Sequence, residues 1–107
     1  MPDIQVKQDD REPSVFATLQ AGGVVIDLTG STVKFIMRNR ATGTVKVNAS
    51  ATVLSPTAGT VRYDWGATDT DTIGDYDAEF EITTGAGKKF TCPNGKHLDA
   101  KVYEDIA

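Results

Sequence analysis

The sequence predicts an all-β fold, an antiparallel sandwich or barrel, and three observations carry that expectation. The first is strict alternation. In Gly59-Thr-Val-Arg-Tyr-Asp-Trp65, Val61, Tyr63 and Trp65 alternate with Arg62 and Asp64; in residues 74–82, Tyr76, Ala78, Phe80 and Ile82 alternate with Asp75, Asp77, Glu79 and Glu81. A period of two belongs to a strand with one buried and one wet face, whereas a helix would spread the same side chains around its circumference. The second is turn chemistry that recurs about every 8–12 residues between short alternating runs. The third is the lack of any sustained helical stripe or helix-start box. The two alternating runs are expected to be neighbouring strands carrying the largest core side chains, joined by the polar connection 66–74.

The remaining elements follow in order. Residues 3–7 are short and extended, with Ile4 and Val6 on one side. Residues 8–13 form a charged turn ending in Pro13, which lacks a backbone donor and would disrupt a central strand. Residues 14–20 alternate, placing Val15, Ala17 and Leu19 on one face and Phe16 and Thr18 on the other; Ala21-Gly-Gly23 is a tight turn, and residues 24–26 are briefly apolar. Residues 31–38 form a strong strand, with Val33, Phe35 and Met37 opposite Lys34, Ile36 and Arg38. A turn at 39–43 leads to a returning hairpin strand at 44–47, and residues 50–54 are a separate short strand. Residues 55–59 turn, with Pro56 and Gly59 in turn-forming positions. After the second alternating run the chain reverses at 84–87, and 88–92 is a short exposed strand. Pro93-Asn-Gly95 turns because Asn-Gly readily takes positive φ. Leu98, Ala100 and Val102 alternate with Asp99 and Lys101 as a closing strand, and 104–107 is a frayed end.

A chain of 107 residues is one domain by the usual prior, long enough to bury roughly 65% of its unfolded surface. The lone Cys92 forms no internal disulfide, so packing must supply the stability and a reducing compartment of assembly is expected. No apolar run approaches the roughly 20 residues of a membrane span. The first residues lack the apolar core of a signal peptide. Net charge is −4, and the basic residues are scattered as Arg38 with Arg40 and Lys88 with Lys89, which argues against direct binding of nucleic acid.

Chemistry-bearing residues are few. Cys92 and His97 lie five positions apart, with Asp99 available on paper to orient the histidine. A Cys–His nucleophile needs hydrogen-bond reach and an oxyanion hole, and no such motif accompanies the pair; the expected role is a semi-buried strand-end cysteine beside a surface histidine. One Cys and one His also leave two zinc ligands unaccounted for. Asp69, Asp71, Asp75 and Asp77 are an acidic cluster, but the position of the bidentate EF-hand glutamate, counted from Asp69, holds Phe80. They are expected to be turn and solvated-face residues, with a weak calcium site as the alternative. Asn48-Ala-Ser50 matches a glycosylation acceptor by chance. Tyr63 and Trp65 could stack on a sugar if exposed, yet share phase with Val61 and are expected in the core. No catalytic, cofactor-binding or metal residue is assigned, and no enzyme is expected.

A resemblance adds to this reading. Asp27-Leu-Thr-Gly-Ser-Thr-Val-Lys-Phe-Ile-Met-Arg38, the segment 59–65, Asp69-Thr-Asp-Thr-Ile-Gly-Asp-Tyr-Asp-Ala-Glu-Phe-Glu-Ile82 and Phe90-Thr-Cys-Pro-Asn-Gly95 resemble, in order and spacing, a pattern of tailed-bacteriophage virion proteins. Cys92 stands where an aromatic usually precedes the proline. The chain, from about Ile4 to Val102, is similar to the N-terminal domain of the baseplate upper protein. That resemblance implies an antiparallel immunoglobulin-like β-sandwich, a single domain over 1–107 with its core at about 4–103. It implies a virion structural protein making contacts in tail or baseplate assembly, with capsid decoration or a head–tail connector role as the alternative. The implied partners are other virion proteins and copies of itself, with no direct nucleic acid and no membrane. The implied location is the virion, assembled in the host cytoplasm. Baseplate upper proteins carry further domains downstream and this chain stops with the module, so a stand-alone virion module is expected. A carbohydrate- or calcium-binding surface module is the alternative of another class.

Overall fold

The alternating runs fold as strands along one hydrogen-bonded path. In a computed structural model, which describes residues 3–12, 14–92 and 98–104, these are β1 (Ile4–Lys7), β2 (Val15–Thr18), β3 (Gln20–Ala21), β4 (Val24–Val25), β5 (Thr32–Asn39), β6 (Val45–Ser55), β7 (Thr60–Tyr63), β8 (Gly74–Thr83), β9 (Lys89–Cys92) and β10 (Leu98–Tyr103). The described residues contain no helix. The path runs β1-β10-β8-β5-β6-β7-β2, with β9 beside β8 and a small β3–β4 hairpin apart from it. The fold is therefore all-β.

The path curls because β6 belongs to two sheets. Its first part pairs with β5, from Arg38↔Val45 to Val33↔Ala51, and its last part pairs with β7, from Thr52↔Arg62 to Ser55↔Thr60 across a bulge. Bulges bend and twist a strand. The bend carries β7 and β2 over the inner face of the first sheet and brings the β2 edge back towards β1. Between them lies a cleft of about 180 Å³, lined by Ile4, Gln5, Ser14, Val15, Phe16 and Trp65 among others. The result is nearly a closed barrel.

Inside it, the alternation works as the sequence predicts. Val33, Phe35 and Met37 of β5, Tyr76, Ala78, Phe80 and Ile82 of β8, Val61 and Tyr63 of β7 and Ala100 and Val102 of β10 are all buried in one core cluster. Phe35 sits at its centre, with ring centroids 4.7 Å from Tyr63, 5.2 Å from Phe80 and 5.9 Å from Trp65.

Three expectations change. The runs at 59–65 and 74–82 share this core but are not neighbouring strands, since β5 and β6 lie between β7 and β8 in the path. Residues 44–47 and 50–54 belong to one eleven-residue strand, β6. The sheet is not wholly antiparallel, because β1 pairs with β10 in parallel, Ile4↔Ala100 through Lys7↔Tyr103. The Pro93-Asn-Gly95 turn and the end at 105–107 lie outside the described residues. Where β9 stops at Phe80↔Cys92, β10 resumes at Leu98↔Ala78, so the two strands lie end to end along one edge of β8.

Candidate interaction surface

The chemistry-bearing residues are dispersed into structural roles. Cys92 is buried at the end of β9, and its Sγ donates to the Gln20 carbonyl at 3.2 Å. His97 lies outside the described residues. Asp99 is held by Arg40, at 2.6 Å from Nη2. The acidic cluster splits as well. Asp69 Oδ2 accepts from the Tyr63 hydroxyl and, at 2.6 Å, from the Gly66 N–H. Asp71 pairs with Lys46, which holds its carboxyl below the usual range, aided by the Thr72 hydroxyl. Asp75 is exposed on the outer face of β8, and Asp77 is bound by Arg38 and Arg40. Asn48 is exposed on β6. Tyr63 and Trp65 are only 4% and 2% exposed, so neither ring offers a face to a sugar.

The Tyr63–Asp69 contact closes the loop after β7. Burial, then the bond to Asp69, pushes the Tyr63 hydroxyl well above its usual range, so it stays a neutral donor. Removing the acceptor strands that hydroxyl and the Gly66 N–H. Asp69→Ala is expected to cost about 2 kcal/mol, while Tyr63→Phe, which removes only the donor hydroxyl, costs less. Chemical unfolding of the two variants checks the order.

The outer face of the larger sheet is a charge ladder. Asp75, Asp77, Glu79 and Glu81 point outward from β8, opposite Lys34 and Arg38 of β5 and Lys101 of β10. One register position is unfavourable, because Asp77 lies directly opposite Asp99. Like charges in that position repel. Arg40 offsets this, its Nε 3.0 Å from Asp77 and its Nη2 2.6 Å from Asp99. Burial pushes the Asp77 carboxyl up, but the bonds to Arg40 and Arg38 outweigh it and hold the group below its ordinary value near 3.8. A carboxylate held low in the folded state contributes stability above its unfolded pKa and loses it as pH falls through the folded one. The thermal midpoint is therefore expected to hold steady above about pH 5 and to drop below about pH 4, with Asp77→Asn flattening part of that acid limb. Arg40→Gln should lower the midpoint at neutral pH, more at low salt than at high salt.

The outer face of the smaller sheet is different in character. Phe16 and Thr18 of β2, Thr60 and Arg62 of β7 and Leu54 of β6 face outward. Phe16 is 64% exposed and Leu54 45%. With Ala17, Thr18, Thr60 and Val61 they line a shallow groove of about 330 Å³. A partly apolar sheet face of this kind, with Arg62 the one charge among these residues, is chemistry for contact with protein.

Residues 1–94 match the family model of the BppU N-terminal domain. The chain belongs to that family. The BppU N-terminal domain family is one of phage baseplate-related structural domains, not an enzyme family, and it implies a virion component that interacts with other virion proteins. No curated protein matches the chain. Among solved structures, CopC from Methylosinus trichosporium OB3b is similar over 100% of this chain and 89% of its own, at 12% identity and a TM-score of 0.56. At that identity the likeness to this BppU N-terminal domain is one of fold.

Sequence reasoning placed Phe16 out of phase with Val15, Ala17 and Leu19, which is the signal of an exposed aromatic. Arg40 gave no such signal, because it lies in a turn and its two acceptors come from β8 and β10.

Proposed function

We propose that the chain is a bacteriophage virion structural protein, an immunoglobulin-like module that makes protein–protein contacts in tail or baseplate assembly. The observation that carries this is membership of the BppU N-terminal domain family over residues 1–94. The strand order supports the immunoglobulin-like part. Taking β2, β5, β6, β7, β8 and β10 as strands B, C, D, E, F and G gives B–E–D in one sheet and C–F–G in the other, the order of that sandwich. The whole of residues 1–107 is read as one such domain. The partners are other virion proteins and, in a symmetric particle, copies of itself. The location is the virion, after assembly in the host cytoplasm. The partly apolar outer face around Phe16 and Leu54 suits protein contact, and an acidic chain suits protein shells better than packaged DNA.

Mass spectrometry of purified particles, followed by reconstruction, tests the proposal. The expected result is this chain at fixed stoichiometry, with density in the tail or baseplate. Its absence from purified infectious particles would overturn the proposal.

A further inference from the structure

We infer that the parallel β1–β10 pair is a load-bearing clamp, which lets the module resist tension that enters through β1 and leaves through β10, a property that follows from strand register and is separate from the virion role. Among the described residues β1 and β10 are the first and last strands, and they run side by side in parallel from Ile4↔Ala100 to Lys7↔Tyr103. The chain enters the pair beside Asp99, where the Asp3 N–H donates to the Asp99 carbonyl at 2.7 Å. It leaves past Tyr103, whose carbonyl accepts from the Gln8 N–H at 2.8 Å. Tension on the two ends therefore slides one strand past the other. Hydrogen bonds in a parallel ladder are evenly spaced along the pair. They share a sliding load and must fail together. An antiparallel pair of first and last strands would put both ends side by side and open bond by bond.

Both ends of the clamp are reinforced. At its start the Asp3 carboxylate also accepts from the Asp99 N–H, at 2.8 Å. In its middle Val6 is buried in the core, and a slip of one residue would turn that side chain out. Beyond its far end, residues 8–11 are tied to the connection after β7. Gln8 Nε2 donates to the Asp71 carbonyl at 2.9 Å, the Asp9 N–H to the Thr70 carbonyl at 2.9 Å and Arg11 Nε to the Trp65 carbonyl at 3.1 Å. The buried Thr70 hydroxyl donates back to the Asp10 carbonyl at 2.9 Å. Load that passes β1 meets this second row of bonds before it reaches β2.

One substitution opens the clamp with little else changed. The Asp10 N–H donates to the Lys7 carbonyl at 3.0 Å and Asp9 takes φ +66°, so residues 7–10 form a type II turn with Gln8 at its second position. Proline is common at that position. Gln8→Pro thus keeps the turn and deletes the N–H bonded to Tyr103. Gln8→Ala is its control, since it removes the side-chain bond to Asp71 and keeps the N–H.

Single-molecule pulling of the full chain tests the inference, because forced unfolding reads the unfolding barrier under load. One loading uses handles at the two ends of the chain. The other runs from a thiol handle at the exposed Asp10→Cys to the C-terminal end, with Cys92 buried. That path leaves β1 out, and because Asp10 and Glu104 line one groove at the Tyr103 end it peels β10 from there. The end-to-end loading is expected to rupture at the higher force, and Gln8→Pro should lower that force more than Gln8→Ala does. Equal rupture forces in the two loadings would overturn the inference, as would a Gln8→Pro force no lower than that of Gln8→Ala. If Gln8→Pro does not fold, the comparison of the two loadings decides alone.

Discussion

Phe35→Ala is expected to be the most damaging single truncation, at about 4 kcal/mol of unfolding free energy. Phe35 is fully buried on β5, and three aromatic rings pack on it from two other parts of the fold: Tyr63 stacked at 4.7 Å, Phe80 tilted at 5.2 Å and Trp65 edge-on at 5.9 Å. Truncation to alanine removes the transfer energy of the ring and leaves a cavity, and each ring pair lost adds roughly 0.5–1.5 kcal/mol beyond area alone. The cavity is hard to fill. On the far side of Phe35 the register places Ala49 of β6, whose side chain is too short to move in. Total stability for a domain of this size is about 5–15 kcal/mol, so the variant is expected to be close to unfolding at 37 °C. Urea unfolding checks this, with Phe16→Ala as the control: that ring is 64% exposed, and its loss should stay within about 0.5 kcal/mol. A Phe35→Ala variant no less stable than Phe16→Ala would contradict the placement of Phe35 at the junction of the two sheets.

The same residues explain how much of the fold was legible in the sequence. β5, β8 and β10 could be read because large apolar and charged residues alternate along their whole length, and their burial follows that alternation residue by residue. β6 could not be read as one strand because its inward positions near the middle are Ala49 and Ala51, opposite Phe35 and Val33. Packing needs small residues across from large ones there, and small residues carry little hydrophobic signal. Alternation also says which face is buried without saying which strand lies alongside. That is why β7 and β8, matched in pattern, proved to be separated by β5 and β6. The parallel β1–β10 pair joins residues at opposite ends of the chain, beyond any local pattern.

The candidate surface was legible in part for a related reason. Phe16 stood out of phase in the sequence, and it is exposed. Leu54 did not stand out, because it directly follows Val53 and no charged neighbour marks the outer face, although it keeps the outward phase of Ser50 and Thr52.

Gly59→Ala is expected to cost about 2–5 kcal/mol, the sum of backbone strain and overpacking. Gly59 ends the turn between β6 and β7 at φ +68°, in the left-handed region that L side chains rarely adopt. A Cβ there would come within 2.7 Å of the Ile26 carbonyl oxygen, 2.8 Å of Val25 Cγ1 and 3.1 Å of the Leu19 carbonyl oxygen. Val25 could rotate away, but the two carbonyls are main chain, and that of Leu19 is committed to a hydrogen bond. The Leu19 carbonyl accepts from the Ile26 N–H at 2.9 Å, and the Leu19 N–H donates to Gly59 itself. Making room would pull the β3–β4 hairpin off the turn and loosen Leu19, which is 2% exposed in the core. Gly43 is the control, since it has φ +74° and a Cβ added there would meet nothing within 4 Å. Gly43→Ala therefore reports the backbone term alone, about 1 kcal/mol. The difference between the two variants in chemical unfolding isolates the steric term. Equal losses at both positions would mean that the hairpin does not rest on Gly59, and the close approach of residues 19–26 to the β6–β7 turn would have to be abandoned.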